Sequence, residues 1–173
     1  DLDRDYTQLK QRLCKNPILA QAIAYAPGIR LLRQEPWEAL CSFIISQNNN
    51  VARIKGIIDR LCRAFGMPLS ADLYSFPTSK TLANLDVEAL APLRAGFRAR
   101  YLLDAARRVE SGAVDLESLR TLPLQEAREQ LMQIVGVGQK VADCVLLYGC
   151  GRLDCVPMDV WMRRTMARFF PEG

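Results

Sequence analysis

The residues with most chemical potential in this chain are Ile134-Val135-Gly136-Val137-Gly138-Gln139-Lys140 and, nineteen positions after Lys140, Asp159. Two glycines let the main chain turn with positive φ and let an anion approach closely. The N–H groups of Gly136, Val137, Gly138 and Gln139, with the positive end of the next helix, favour a phosphate. A plain helix–turn–helix corner with glycine caps would use the same residues, so both readings stand for the glycines alone. Ile134 and Val137 flank the turn as hydrophobic locks. Lys140 falls in the first turn of a helix whose Val141, Ala142, Val145 and Leu146 are apolar. A cation is disfavoured at that end, and partial burial would bias the amine further toward its neutral, nucleophilic form. The plainer alternative is a surface lysine that neutralises the phosphate. Asp159 follows Val156-Pro157-Met158 and either caps the next helix or faces a developing positive charge. A cap would hold the carboxylate rigid for the second task. Together these residues read as a device that grips a phosphate backbone and presents an amine to a sugar.

The elements around them must be helices. The chain has 173 residues, 50% of them apolar, which suits one domain, at most two small helical lobes with a cleft between them. Twenty-three basic and 19 acidic residues give a net charge of +4, so any nucleic-acid contact depends on a local patch. There is no histidine, and the six cysteines show no C-x-x-C pair, which removes an imidazole base and any recognisable zinc pattern. Cys14, Cys41, Cys62 and Cys144 lie in apolar helical patterns and read as small hydrophobes, and reduced thiols suit an intracellular protein. No signal-peptide pattern or membrane-length apolar run occurs. Helical spacing predicts helices from Pro36, from Val51 to Phe65 with Gly66 as stop, after Thr78, from Asp86 through Leu93, from Phe97 to Glu110, from Leu124 to Gln133, from Val141 to Leu147 and from Val160 to Phe170. Leu2 to Ala26 predicts two more, split at Asn16-Pro17. The expected class is all-α, a bundle of about nine to eleven helices.

The strings G-V-G-Q-K-V-A-D-C and V-P-M-D-V-W resemble the helix-hairpin-helix glycosylase superfamily. Leu31-Leu32-Arg33-Gln34-Glu35-Pro36-Trp37-Glu38, Ser46-Gln47-Asn48-Asn49-Asn50-Val51-Ala52-Arg53 and Gly96-Phe97-Arg98-Ala99-Arg100-Tyr101 narrow it to the 8-oxoguanine DNA glycosylase family. The resemblance runs from about Gly28 to Arg168. It implies a bifunctional enzyme that excises oxidised guanine from duplex DNA and cuts the abasic strand by β-elimination. Lys140 would be the Schiff-base nucleophile and Asp159 the carboxylate that steadies the cationic sugar. Asn48 would fill the gap left by the flipped nucleotide, with Asn50 on the same DNA-facing turn, Phe97 wedging the opposite strand and Arg53 and Arg98 reading the partner base. Cys144 and Trp161 would line the base pocket. Taken alone, Asn48–Asn50 could be a polar loop, Phe97 a core residue and Cys144 a buried helix cysteine.

Several features depart from the family pattern. Nothing before Gly28 resembles the family's N-terminal β-rich domain. The helix that closes the pocket in relatives would lie beyond Gly173, and Trp161 stands where many members have histidine. The chain therefore reads as an excised catalytic core or a short, bacterial-type member. Without a C-terminal cysteine array no iron–sulfur cluster is expected, and no metal or other cofactor. The expected partner is double-stranded DNA carrying a damaged base, met by a monomer wherever the cell keeps its DNA, with no membrane involved. Two rivals remain: an endonuclease III-like glycosylase for oxidised pyrimidines, and a helix-hairpin-helix module that only binds DNA.

Overall fold

The computed structural model describes residues 4–171. Among them the chain forms nine α-helices: α1 Thr7–Leu13, α2 Pro17–Tyr25, α3 Pro36–Ser46, α4 Val51–Phe65, α5 Ser79–Ala83, α6 Arg98–Glu110, α7 Leu124–Met132, α8 Gln139–Tyr148 and α9 Val160–Phe169. Two 3-10 turns, Ala91–Leu93 and Ser118–Arg120, and one isolated bridge between Pro68 and Tyr74 complete the regular structure of these residues. The all-α expectation holds, although the predicted start at Leu2 lies outside the described residues.

The chain divides into two units. Residues 34–157 form the larger. Its core is built around α3, which packs against α4, α6 and α8, while α6 also packs on α5 and α7 on α8. Leu40, Ile44 and Ile45 of α3 are fully buried with Ile57, Leu61, Leu102, Leu103, Leu131 and Leu146. Truncating one such leucine to alanine costs about 2–5 kcal/mol. The Nε1–H of Trp37 donates to the Pro77 carbonyl at 2.9 Å, so this aromatic is buried without an orphaned donor. The close approach of α8 to α3 depends on Gly149, where a Cβ would crowd Pro36 and Ala39.

Polar side chains cap several helix starts, the predicted one at Asp159 among them. Asn16 accepts from the N–H groups of Ile18 and Leu19, Asn50 from Arg53, Thr78 from Thr81 and Asp159 from Met162. Two expectations change, at Asp86 and at Cys14. The helix predicted from Asp86 is a series of turns ending in the 3-10 segment, although Asp86 does accept the Ala89 N–H at 2.8 Å. Pro92 explains this: it lacks an N–H and disfavours helical geometry at Ala91. Gly66 ends α4 as predicted, with φ −84°, and a Cβ there would collide with the Ser75 and Cys62 carbonyls. Cys14 is exposed at the end of α1, while Cys41 and Cys144 are buried.

The smaller unit contains α1, α2 and α9. An apolar cavity of about 290 Å³ runs between α1, α2 and the segment that follows, lined by Leu9, Leu13, Leu19, Ile23 and Leu31, with Lys10 and Arg30 at its polar edge. Lys10 Nζ donates to the Pro27 carbonyl at 2.6 Å, and Arg30 donates to the Arg4 carbonyl at 2.8 Å while lying over the Tyr6 ring. Nowhere among the described residues is a helix long and apolar enough to cross a membrane.

Candidate functional site

The segment between α7 and α8 is a tight turn on two buried pegs. Val137 N–H donates to the Ile134 carbonyl at 3.0 Å, and Ile134 and Val137 are 1% and 5% exposed. Gly136, third in that turn, has φ +81°, a conformation that favours glycine. It is also where the Tyr101 ring of α6 lies against the main chain, so that a Cβ on Gly136 would overlap the ring. The locks predicted from sequence are therefore in place, and Tyr101 is a third that sequence reading did not single out.

Gly138 differs in kind. Its backbone is extended, with φ −98° and ψ 177°, and nothing lies within 4 Å of a Cβ built there. As N-cap of α8 it has no side chain to bond the first-turn amides, and the first intrahelical bond runs from Ala142 N–H to the Gly138 carbonyl at 3.0 Å. The N–H groups of Gln139 and Lys140 precede that bond and have no acceptor within the helix. An open approach, unbonded amides and the positive helix end form an anion-accepting site.

Lys140 is the second residue of α8 and is exposed, as is Gln139. The partial burial expected of Lys140 is thus absent from the DNA-free protein, because only the following turns of α8 enter the core. Cys144, one turn on, is 4% exposed. Asp143 is 2% exposed and pairs with Arg128 of α7 at 2.7 Å, tying together the two helices that carry the turn. A buried pair joining residues fifteen apart leaves no signature in helical spacing, and sequence reading missed it.

The Asn-rich turn is strongly organised. Asn48 is exposed with φ +45°, a left-handed conformation that asparagine tolerates better than most residues. Asn49 Nδ2 donates to the Ile45 carbonyl at 3.0 Å, and Asn49 Oδ1 accepts the Asn50 N–H at 3.0 Å. The Asn50 side chain accepts the Arg53 N–H at 3.0 Å. Exposed Arg53 reaches the Arg94 carbonyl at 3.3 Å.

Arg98 is not the exposed cation that its place at a helix start suggests. It is 3% exposed and donates to the carbonyls of Gln47, Asn48 and Ala95, the Asn48 bond measuring 2.9 Å. Burial, then the charge of nearby Arg53, lowers its pKa. With its donors committed to main chain, Arg98 braces the Asn turn. Phe97 is 51% exposed, stacks edge-on against Tyr101 at 5.5 Å and lies under the Arg98 guanidinium at 4.5 Å. In the larger unit, then, Tyr101 and Arg98 connect Phe97 to the glycine turn and to Asn48.

In the smaller unit Asp159 is the exposed N-cap of α9, its Oδ1 accepting the Met162 N–H at 2.7 Å. The predicted cap is therefore real. Trp161 is 72% exposed, with the Arg164 guanidinium 5.1 Å from its ring centre.

Comparison with known proteins matches this geometry to a family. The family described as "HhH-GPD superfamily base excision DNA repair protein" matches residues 41–172, and "8-oxoguanine DNA glycosylase, N-terminal domain" matches residues 1–40. The second match corrects the reading of the first residues as unlike that domain; that stretch carries none of the quoted motifs before Gly28. The chain is 40% identical to the N-glycosylase/DNA lyase of Saccharomyces cerevisiae over 156 residues, covering 82% of this chain and 42% of that protein. It superposes on MBOgg1 in complex with a low-affinity DNA ligand with TM-score 0.93 and 46% identity. For the Clostridium acetobutylicum 8-oxoguanine glycosylase/lyase bound to double-stranded DNA with cytosine opposite 8-oxoguanine, the values are 0.90 and 36%. Each comparison covers 100% of this chain and 61% of the solved one, so the chain spans less than two thirds of these relatives.

Proposed function

This chain belongs to the HhH-GPD superfamily of base excision DNA repair proteins, and within it to the 8-oxoguanine DNA glycosylase family; from that premise we propose that it excises 8-oxoguanine from duplex DNA and cleaves the abasic strand. The observation that carries this reading is the uncapped, open start of α8 at Gly138, with Lys140 two residues on. A phosphate bound to those amides holds the neighbouring sugar within reach of the amine. Lys140 Nζ attacks C1′ as the glycosidic bond breaks and its electron pair leaves with the base, which takes up a proton. The sugar ring then opens to a Schiff base, and loss of a C2′ proton expels the 3′ phosphate. Because Lys140 is exposed in the free protein, the bound DNA must supply the dry surroundings that favour the neutral amine. Asp159 opposes the positive charge that develops on the sugar, its capping bond fixing the carboxylate.

The turn at Asn48 fills the space left by the flipped nucleotide and Phe97 enters the opposite strand, with Asn50 and Arg53 beside the DNA. Cys144 and Trp161 are the side chains we assign to the base. The protein works as a monomer, with the DNA inside the cell.

Borohydride trapping tests the proposal. The protein should become covalently linked to a duplex carrying 8-oxoguanine. The Lys140→Gln variant should give neither cross-link nor cut strand while still binding the duplex. Trapping on thymine glycol in place of 8-oxoguanine would mean a pyrimidine enzyme. Binding without trapping would mean a DNA-binding module, and persistent trapping in Lys140→Gln would mean another nucleophile.

A further inference from the structure

Asp104 has no part in the chemistry above, yet one of its carboxylate oxygens accepts two bonds: the Val135 main-chain N–H at 2.7 Å and Arg108 Nε at 2.9 Å. Val135 sits at the exposed tip of the glycine turn, its side chain 51% exposed, so packing of its own side chain does not hold the tip. Phe97, Tyr101, Asp104 and Arg108 follow one another at spacings of four, three and four, which places them along a single stripe of α6. From one end to the other that stripe presents an exposed aromatic, a ring under Gly136, a carboxylate on the Val135 amide and a guanidinium on the carboxylate.

We propose that Asp104 is a positioning residue that sets the register of the glycine turn against α6, and hence against Phe97, while Arg108 cancels the charge this places near the phosphate. This rests on the DNA-binding reading of the turn. The arrangement has a cost built into it. A carboxylate bonded to a turn that receives phosphates repels them, and only a neutralising partner makes it tolerable. Arg108 is that partner, one helical turn away and on the side of the carboxylate remote from Phe97. The sequence alone shows an i,i+4 Asp–Arg pair, which on most helices is a solvated surface contact of little consequence. The third group, Val135 N–H, gives this pair a task.

The experiment compares binding of Asp104→Ala, Asp104→Asn, Arg108→Ala and the Asp104→Asn/Arg108→Ala double variant to undamaged and 8-oxoguanine duplexes. Single-turnover excision at saturating enzyme and thermal unfolding are followed alongside. Asp104→Ala should bind both duplexes about five- to tenfold more weakly, the scale of one partly exposed bond to a charged group. That loss should fall on Kd and not on the rate at saturation. Asp104→Asn keeps an acceptor for Val135 and should restore binding to within about twofold of the parent, since a neutral acceptor makes the weaker bond but repels no phosphate. Arg108→Ala should weaken binding about threefold at low salt, a deficit that screening removes at high salt. The double variant should match Asp104→Asn, because no charge is left to cancel.

Parent-like binding by Asp104→Ala, or equal weakness of Asp104→Asn and Asp104→Ala, overturns the inference. Should Asp104→Ala fail to fold, Arg108→Ala and the double variant decide: rescue of the Arg108 defect by Asn supports the inference, and additive defects overturn it. Failure of the parent protein to bind duplex DNA would refute the functional proposal itself. A parent that binds, beside an Asp104→Ala that binds equally well, sinks only the role of Asp104.

Discussion

Alanine at Gly136 and alanine at Gly138, two residues apart, should produce opposite defects. At Gly136 the backbone has φ +81° and a Cβ would overlap the Tyr101 ring. Left-handed alanine costs about 1–2 kcal/mol, and displacing a packed ring about 1–3 kcal/mol more. For a chain of this size the sum is a fall in Tm on the order of 10 °C. At Gly138 the backbone is extended and the surroundings are open, so alanine fits the folded protein. Its small loss as a cap and the gain from a less flexible unfolded chain leave stability within about 0.5 kcal/mol of the parent. Under the proposed function the same methyl would stand where a phosphate approaches, so Gly138→Ala should weaken binding to damaged and undamaged duplexes alike, about tenfold for one lost contact to a charged group. Thermal melts and fluorescence anisotropy on both duplexes measure the two effects. Equal Tm losses, or parent-like DNA binding by Gly138→Ala, would refute the reasoning. A loss confined to damaged duplex would place Gly138 against the base.

Asp159→Asn retains a carbonyl that can cap α9 but removes the charge proposed to face the sugar, so excision should slow by orders of magnitude in single-turnover assays while stability falls by about 1 kcal/mol or less. Parent-like excision by the folded variant would reduce Asp159 to a cap. Arg98→Ala leaves carbonyls of Gln47, Asn48 and Ala95 without their buried donor and should cost about 2–4 kcal/mol in chemical denaturation. Arg98→Lys should recover only part of it, since one ammonium cannot span all three; full stability of Arg98→Ala would show the brace to be idle. Asn48→Ala should weaken excision most on fully paired duplex and least where the damaged base is already mismatched, as unstacking then costs less. An equal defect on both substrates would remove Asn48 from the flipping step.

The parts of the site legible in the sequence are those set by local rules. Helical spacing located α3, α4 and α6 to α9, the carboxylate after Val156-Pro157-Met158 located the cap at Asp159, and two glycines between apolar residues located the turn. What escaped is what a side chain does across the fold. Arg98 beside Phe97 at a helix start looks like a surface cation, and only the position of the Gln47 and Asn48 carbonyls, about fifty residues away, makes it a buried donor. Asp104 and Asp143 look like ordinary helix-surface acids until Val135 and Arg128 are brought to them. Cys14 departs from its expected burial because α1, which it follows, buries none of its residues.

The main chain of residues 47–50 is held by bonds from Arg98, Asn49 and Asn50 before any DNA arrives. Ordering four backbone residues costs about 1–2 kcal/mol each. Were that ordering left to the encounter with DNA, some 4–8 kcal/mol would be subtracted from binding, a loss of about a thousandfold or more in affinity. Folding has already settled that entropy, so under the proposed function the turn would meet each base pair in the same shape. A probe of fixed shape reports differences in the duplex instead of its own fluctuations.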